Sequence, residues 1–365
     1  MLLILRYVKL FPSHPKEIII IIASINPLMS RIILSDRGSF LGKSGEQFRI
    51  TRKDEPEVLI PARKVEQILI LGSGISVSSD AIEMADELGV EIVFASYYGK
   101  PLARLIPASL GGTVKTRREQ YHAYDDRRGP ELAKSFIRGK LRNQASLLKS
   151  FAKKWKGDKQ DLWQEFRERA NEIESLIPEL DKIRGDLESS RGRIMGVEGA
   201  GAEIYWRTWA KLIPEVWKFP GRDYPAAKDH INSLLNFGYY VLEQEVWAAT
   251  LYAGLDPYAG FLHADRPGKE KLVYDMMEEF RPLVVDRMVV SLARMMLPGH
   301  FQEDCRMTKD GMKIASSAFY GRLDEGITYR EKSQLIRNII RSQASAVVTF
   351  LRGERPCYEP FTPRW

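Results

Sequence analysis

Apolar residues in the first third of the chain occur in short runs that are rich in β-branched side chains. Between Met29 and about Pro107 these runs include RIILS, EVLIP and VEIVFAS, and clusters of glycine or proline separate them. Short β-branched runs between turn residues are typical of strands. We therefore expect a small strand-rich domain here, interrupted by one helix from about Ser79 to Leu88.

The pattern changes after the segment SLGGTV at 109–114, whose two glycines favour a hinge. Beyond it the apolar positions recur with helical periodicity. The helical runs span 115–155, 159–187, 197–211, 226–253, 272–297 and 330–351. The predicted fold class is therefore α+β, with a β-rich N-terminal domain at 29–108, a linker at 109–116 and an α-helical domain at 117–365.

The first 28 residues fit neither pattern. Their segment KEIIIIIASI contains the apolar run Ile18–Ile22, which is far shorter than the ~20 residues needed to span a bilayer. Basic residues precede it, but no clean signal-peptide cleavage site follows. We interpret residues 1–28 as an N-terminal extension or an appended strand. A chain that starts at Met29 is expected to fold and to keep its activity.

Composition narrows the class of protein only slightly. The 365 residues are 44% apolar and carry a net charge of +7, which is enough apolar material for two well-buried domains. A basic surplus favours a polyanionic partner such as nucleic acid, although a basic protein without one fits equally well. Cys305 and Cys357 are the only cysteines. They are too few for a disulfide framework or a thiolate metal site, which fits a reducing cytoplasm.

One glycine-rich segment imitates a dinucleotide-binding motif. Residues 69–94 are predicted as strand, glycine turn, helix and strand. The third glycine of the dinucleotide motif would fall at Val77, however, and no acidic residue ends the second strand. We therefore reject a dinucleotide site and interpret Gly72 and Gly74 as turn residues.

Three separate segments carry residues suited to a divalent metal. Glu198 lies in the run GVEGAGA, where glycines destabilise a helix but would let another helix or a phosphate backbone come close. His263 ends the segment AGLDPYAGFLH, and the helix-like run KLVYDMMEEF follows it. Asp275 and Glu278 in that run are three residues apart and share one helix face. Carboxylate and imidazole groups from separate elements can hold a divalent ion and leave positions for a substrate.

Each of these residues also has an ordinary structural interpretation. Glu198 could stabilise the start of a helix through its dipole, and His263 could be a packed or surface residue. The acidic helix could be a solvated face. For Glu279 the solvated interpretation is preferred, with an ion pair to Arg281 or Lys271. Taken singly, these residues leave both interpretations open.

Basic and polar residues of the second domain are candidates for DNA contacts. The basic segments KTRREQYHAYDDRR at 115–128 and IRGKLRNQASLLK at 137–149 lie on predicted helices, and a basic helical face suits phosphate contacts. The segment 219–242 adds a loop and the next helix. The candidates are Arg117, Arg118, Lys140, Asn143, Arg222, Tyr224, Asn236 and Tyr240. An ordinary charged surface explains the same pattern about equally well.

Several motifs, taken in order along the chain, resemble one protein family. GVEGAGAEIYW, the long stretch LLNFGYYVLEQEVWAATLYAGLDPYAGFLHADRPGKEKLVYDMMEEFRPLVVDR and the terminal YEPFTPRW resemble the CRISPR-associated integrases of spacer acquisition (the Cas one family). The segment ILGSGISVSSDAIEMADELGVEIVFASYYGKPLARLIP resembles the N-terminal domain of that family, and KLRNQASLL resembles its first long helix. The resemblance covers nearly everything from Met29 to Trp365.

The resemblance implies a fold and a site. The fold would be a small N-terminal β-sandwich-like domain followed by a larger all-α catalytic domain. The metal ligands would be Glu198, His263 and Glu278, with Asp275 as a further acidic catalytic residue and Mg²⁺ or Mn²⁺ as the cofactor. Some members carry Asp where this chain has Glu278, and members usually start near the position of Met29.

The resemblance also implies an activity and partners. The chain would be a metal-dependent DNA endonuclease and integrase that inserts short DNA fragments as new spacers at a CRISPR repeat, through attack of a 3′-hydroxyl group on a phosphodiester. Its partners would be double-stranded DNA, namely the captured fragment and the repeat, and a small CRISPR adaptation protein (the Cas two family). The β-rich domain is expected to form a homodimer. We expect a cytoplasmic location and no membrane association.

Two rival functions use the same residues differently. A stand-alone metal-dependent nuclease acting on branched DNA would need the same three ligands. A DNA-binding architectural protein with an idle site is disfavoured because Glu198, His263 and Glu278 are all present. Only the reaction with paired substrates separates the integrase from the stand-alone nuclease.

Overall fold

The structure is a computed structural model that describes residues 30–96, 101–105, 113–157, 159–223 and 227–363. The chain divides into two units, Met1–Ser109 and Leu110–Trp365. The predicted extension at 1–28 and the first half of the predicted linker, residues 109–112, lie outside the described residues, whereas residues 113–116 are helical.

The described part of the first unit contains two four-stranded sheets and one α-helix. Its elements are β1 (Ser30–Leu34), β2 (Phe40–Ser44), β3 (Gln47–Thr51), β4 (Val58–Pro61), β5 (Val65–Leu71), β6 (Ser76–Val77), α1 (Ser79–Leu88), β7 (Glu91–Ala95) and β8 (Pro101–Leu105). One sheet has the order β1–β5–β7–β8, with β8 antiparallel to its neighbour and the other strands parallel. The other sheet has the order β4–β3–β2–β6 and is antiparallel except for the short pairing of β2 with β6.

The two sheets bury one shared apolar core. Alternate residues of β1 and β5 and of β2 and β3 point into it, because successive side chains of a strand point to opposite faces. Helix α1 adds apolar side chains to the same core. Its members include Ile32, Ile68, Leu41, Phe48 and Met84. This arrangement confirms the predicted strand-rich domain and its single helix.

The glycine-rich segment between β5 and α1 is a turn. Gly72 and Gly74 have φ angles of 92° and 77°, a backbone region that glycine adopts easily and other residues rarely do. The predicted role of both residues in a turn is therefore confirmed. The helix α1 then begins after Ser78, whose side chain accepts a hydrogen bond from the N–H of Ala81.

The second unit is mostly helical, which confirms the predicted fold class. Its helices are α2 (Thr113–Tyr124), α3 (Arg128–Ala152), α4 (Gln160–Ser175), α5 (Ile177–Lys182), α6 (Leu187–Trp209), α7 (His230–Tyr252), α8 (Lys271–Met277), α9 (Arg287–Met295), α10 (Lys309–Leu323) and α11 (Ile336–Leu351). A small hairpin of β9 (Gly326–Tyr329) and β10 (Lys332–Leu335) precedes α11. The last helix therefore starts later than the predicted run at 330–351.

Two helices, α3 and α7, organise the region that carries the candidate residues. The long helix α3 packs against α4 and α6, and α7 packs against α8 and α11. In the described part of the chain, we find no helix with the length and apolar character needed to cross a membrane.

The predicted helical run at 272–297 is interrupted. Helix α8 ends at Met277, residues 278–280 form a turn, and a π-helical segment, Pro282–Asp286, leads into α9. Proline has no N–H to donate, and π-helical turns often occur at functional sites. The interruption falls at the predicted metal ligand Glu278.

Candidate active site

Two acidic side chains and one lysine from different elements meet at one point of the helical unit. The Nζ atom of Lys140 lies 2.6 Å from Oε1 of Glu198 and 2.6 Å from Oε2 of Glu278. Lys140 comes from the middle of α3, Glu198 from α6, and Glu278 directly follows α8. The fold thus joins two predicted metal ligands that are far apart in sequence.

A glycine lets α3 and α6 come close at this point. A Cβ atom added at Gly201, one turn after Glu198, would lie 2.3 Å from Cδ2 of Leu141. A larger residue would therefore clash with Leu141, and the leucine side chain or one of the helices would have to shift. The expectation that small residues near Glu198 admit another helix is confirmed at Gly201, whereas Gly196 and Gly199 face open space.

Glu278 is buried and ionised. Burial raises the pKa of Glu278, but the positive charges of Arg281 and Lys140 outweigh this effect and lower it to about 2. The Nε atom of Arg281 lies 3.0 Å from Oε1 of Glu278. Burial also lowers the pKa of Lys140, but the carboxylates of Glu278 and Glu198 raise it above its ordinary value. Glu278 and Lys140 are therefore both charged at neutral pH.

His263 is held by Asp275. The Nδ1 atom of His263 lies 2.6 Å from Oδ1 of Asp275, and the other carboxylate oxygen of Asp275 accepts hydrogen bonds from the backbone N–H groups of Phe261 and Leu262, at 2.6 and 2.8 Å. Donation from Nδ1 leaves the Nε2 atom without a proton in the neutral ring, which is the form that binds a metal. Asp275 therefore positions the histidine and its loop.

The charge of His263 depends on the same neighbours. Burial lowers the pKa of His263, but the hydrogen bond and the negative charge of Asp275, together with the charge of Glu278, raise it above its ordinary value. The charges of His263 and Glu278 thus act on each other. The imidazole therefore belongs to the electrostatic surroundings of Glu278.

The donor set fits a hard divalent ion only if Lys140 moves. Two carboxylates and an imidazole suit Mg²⁺ and Mn²⁺, and Glu198 and Glu278 already converge on one cation, the Lys140 ammonium. Within the described residues, no group of three or more His, Cys, Asp or Glu side chains is arranged to hold a metal ion. The structure therefore brings Glu198 and Glu278 together with Lys140 between them, and it places His263 near enough to Glu278 for their charges to interact.

The predicted DNA-contact residues fall into different environments. Arg118 is exposed, while Arg117, Arg222 and Asn236 are half-buried. A guanidinium nitrogen of Arg222 donates to the side chain of Asn232 at 2.9 Å. Tyr224 lies outside the described residues.

Three of those predictions need correction. The side chain of Asn143 is buried and donates to the backbone carbonyl oxygens of Glu279 and Phe361, so it cannot contact DNA in this conformation. Tyr240 is also buried. Lys140 is engaged with the two glutamates and is not a surface cation.

The preferred interpretation of Glu279 as a solvated residue is wrong. Glu279 is fully buried, and its carboxylate accepts hydrogen bonds from the hydroxyl of Tyr358 at 2.7 Å and from the N–H of Phe361 at 2.6 Å. Its partners lie 79 and 82 residues further along the chain, so no local pattern in the sequence indicated this burial.

Comparison with known proteins identifies the family. The chain matches the family described as "CRISPR associated protein Cas1" over residues 32–320. The chain belongs to the Cas1 family. The predicted resemblance is therefore confirmed.

Curated Cas1 proteins match along most of their length. A protein of Archaeoglobus fulgidus named "CRISPR-associated endonuclease Cas1 1" is 36% identical over 347 residues, which cover 92% of this chain and 100% of that protein. A "CRISPR-associated endonuclease Cas1" of Korarchaeum cryptofilum is 34% identical and covers 91% of this chain and 97% of its own length.

Solved structures show the same fold. A casposase bound to its integration product has a TM-score of 0.76 and 26% identity, and the match covers 92% of this chain and 93% of the casposase. A Cas1 protein from Thermotoga maritima has a TM-score of 0.72 and 19% identity, with 91% and 100% coverage. The second match supports the fold alone.

Proposed function

We propose that this Cas1 protein is a Mg²⁺- or Mn²⁺-dependent DNA endonuclease and integrase that inserts short DNA fragments as new spacers at a CRISPR repeat. The observation that carries the proposal is the convergence of Glu198 and Glu278 on one cation beside the Asp275–His263 pair. Such a cluster of ionised oxygen donors next to an imidazole suits metal-assisted phosphodiester chemistry.

In this proposal Glu198, Glu278 and the Nε2 atom of His263 hold the ion after Lys140 leaves the space between the carboxylates. The bound ion would stabilise negative charge on the phosphodiester and favour the ionised form of the attacking hydroxyl or water. Direct in-line attack on phosphorus needs no covalent bond to the protein.

The remaining groups of the site bind and orient. Arg281 keeps Glu278 ionised and fixes one of its oxygens. In the neutral ring, the hydrogen bond from Nδ1 of His263 to Asp275 leaves the Nε2 atom without a proton, as a metal ligand requires.

The proposed substrates and partners rest on the solved neighbours. The casposase structure contains an integration product, and a further neighbour with a similar fold belongs to a Cas6-RT-Cas1–Cas2 complex. We propose that this chain likewise acts on a double-stranded DNA fragment and a CRISPR repeat, as a homodimer formed through the β-rich unit and together with a Cas2 protein. We propose a cytoplasmic location, which suits a chain with two free cysteines.

Integration in a purified system tests the proposal. A labelled short duplex with 3′-hydroxyl ends is mixed with the protein, its Cas2 partner and a plasmid that carries a CRISPR repeat, with Mg²⁺, Mn²⁺ or chelator. We expect covalent joining at the repeat that requires the metal and disappears in Glu198→Ala. Cleavage of branched DNA without joining would instead favour a stand-alone nuclease, and equal joining in the presence of chelator would contradict the metal site.

A further inference from the structure

The turn that carries Glu278 lacks the support of a regular helix. In an uninterrupted α-helix the N–H of Leu283 would donate to the carbonyl oxygen of Glu279. Here that N–H donates to the carbonyl oxygen of Phe280, at 3.2 Å, as does the N–H of Val284, at 2.9 Å. The carbonyl oxygen of Glu279 is thus left for a partner from another element, because a buried carbonyl needs a donor.

Asn143 supplies that partner from α3, one turn after Lys140. Its Nδ2 atom donates to the carbonyl oxygen of Glu279 at 2.6 Å and to that of Phe361 at 2.7 Å. One buried amide therefore ties the turn to α3 and to a segment near the end of the chain. We call this end segment, residues 358–361, the strap.

The strap closes over the other side of the turn. Tyr358 and Phe361 donate to the two oxygens of the Glu279 carboxylate, at 2.7 and 2.6 Å. The ring of Phe361 stacks on Phe280, with ring centroids 5.0 Å apart, and the ring of Tyr358 meets Phe136 of α3 edge to face, at 5.5 Å. Both aromatic anchors are buried.

The contact extends to the backbone beside Lys140. A Cβ atom added at Gly139 would lie 2.7 Å from Cβ of Pro360 and 3.0 Å from Cβ of Glu279. At this position only glycine lets α3, the strap and the turn touch. The strap therefore contacts the chain next to Lys140 and, through Glu279, the chain next to Glu278.

We infer that the strap and Glu279 are a positioning device for the active site. They fix the broken helix so that Glu278 points at Lys140 and Glu198, while Glu279, the next residue, serves as the anchor. Glu279, Tyr358 and Asn143 touch no reacting group and act through Glu278. The activity part of this inference rests on the proposed function, whereas its structural part does not.

The test combines hydrogen exchange with kinetics for Tyr358→Phe and Glu279→Ala. Glu359→Ala is the matched control, because Glu359 lies within the strap and its side chain is 74% exposed. In Tyr358→Phe and Glu279→Ala the backbone amides of residues 278–281 should exchange about 10-fold faster, because the turn loses hydrogen bonds that join it to the strap. Exchange in the β-rich unit should stay unchanged, and the control should match the wild type throughout.

Steady-state DNA cleavage, measured below the unfolding temperature, supplies the second readout. Misplacing a catalytic carboxylate by about 1 Å costs roughly 10²-fold in rate, so kcat should fall by 10- to 100-fold while KM for DNA stays the same. Glu279→Gln, which keeps the shape and one acceptor, should recover part of the loss. Tyr358→Phe and Glu279→Ala combined should lower kcat by less than the product of their separate effects, since both remove the same contact.

The outcomes separate this inference from the proposed function. Unchanged exchange at residues 278–281, or wild-type kcat with only a lower unfolding temperature, would overturn the positioning role. If the variants exchanged faster at residues 278–281 but the wild type cleaved no DNA, the strap would still be shown to hold the turn in place. The proposed activity would then be refuted.

Discussion

Glu278 and Glu279 are adjacent and both buried, yet their surroundings shift their pKa values in opposite directions. The positive charges of Arg281 and Lys140 lower the pKa of Glu278 to about 2, against the effect of burial. Burial raises the pKa of Glu279 to about 7, although the hydrogen bonds from Tyr358 and Phe361 oppose the rise. The difference is that Glu278 faces cations, whereas Glu279 faces neutral donors.

The contrast shows how one short turn supplies two functions. A buried carboxylate beside cations stays ionised and can exchange one cation for another. A buried carboxylate beside hydroxyl and N–H donors serves as a fixed acceptor, because those donors cannot leave without exposing unsatisfied groups. Local composition does not distinguish the two residues, since both are glutamates in the sequence MMEEF.

The largest expected effect on activity comes from the same substitution, glutamate to glutamine, made separately at Glu278 and at Glu279. Glu278→Gln keeps the side-chain shape but removes the charge that would hold a metal. DNA cleavage and joining should fall by roughly 10³-fold or more, because metal ions contribute several kcal/mol to such reactions. Glu279→Gln should lose far less, and salt-sensitive DNA binding should survive in both variants, since phosphate contacts carry the affinity.

Cleavage rates of the two purified variants, measured with Mn²⁺ and with chelator, check this contrast. Glu198→Ala and His263→Ala should behave like Glu278→Gln. Wild-type turnover in any of these three would refute the site, and an equal loss in Glu279→Gln would erase the distinction between the two glutamates.

The next effect concerns the support of His263. Asp275→Asn keeps the size of the side chain but replaces one acceptor oxygen by an amide, so that His263 and its loop lose their common anchor. We expect a 10- to 100-fold loss in cleavage rate, the range typical of groups that orient a metal ligand. Asp265→Asn, in the same loop and exposed, is the matched control in a single-turnover assay. Equal rates for the two variants would contradict the positioning role of Asp275.

The sequence predicts the two-domain fold and the three ligand-bearing segments because both depend on local patterns. Short β-branched runs define the strands, and Glu198, His263 and Glu278 lie in recognisable motifs. The helix break after Met277 was missed, since apolar residues continue through it at Phe280 and Leu283 without a change of period.

The burial of Asn143 and Glu279 was missed for a different reason. Their partners lie far along the chain, in the strap, and polar residues that satisfy each other across such distances look like surface residues in one sequence. The position of Lys140 depends in the same way on the close packing of α3 and α6 at Gly201.

A third effect tests the cation that Glu278 faces. Lys140→Met keeps the length and apolar stem but removes the ammonium between Glu198 and Glu278. The two carboxylates then repel each other, and a divalent ion no longer has to displace a buried charge. Mn²⁺ should bind the DNA-free protein more tightly, on the order of 10-fold, since buried ion pairs are costly to break.

Calorimetric titration of the DNA-free protein with Mn²⁺ measures this change. Lys134→Met is the matched control on α3, because Lys134 is buried and pairs with Glu131 at the same helix. Lys140→Met should also unfold at lower temperature without Mn²⁺ and gain more from its addition. Unchanged or weaker Mn²⁺ binding in Lys140→Met would show that Lys140 does not compete with the ion.

The smallest expected effect extends the contrast to a third carboxylate. Asp286 is buried, and like Glu279 it faces hydroxyl donors, those of Tyr205 and Tyr239, at 2.7 and 2.6 Å. Burial raises the pKa of Asp286 to about 6, although both hydroxyl groups oppose the rise. Like Glu279 and unlike Glu278, this carboxyl should therefore bind its proton more tightly in the folded protein than an ordinary carboxyl does.

The direction follows from proton binding. The pKa of Asp286 is higher in the folded protein than in the unfolded chain, so the folded state holds more protons between about pH 4 and pH 6. The free energy of unfolding must then fall as the pH rises through this window. From pH 5 to pH 8 the wild type should lose about 1–2 kcal/mol relative to Asp286→Asn, which has no proton to release. Urea unfolding at both pH values measures the difference, with the exposed Asp161→Asn as the control. If the difference in the free energy of unfolding between the wild type and Asp286→Asn did not change with pH, folding would not raise the pKa of Asp286. This carboxyl would then not resemble Glu279.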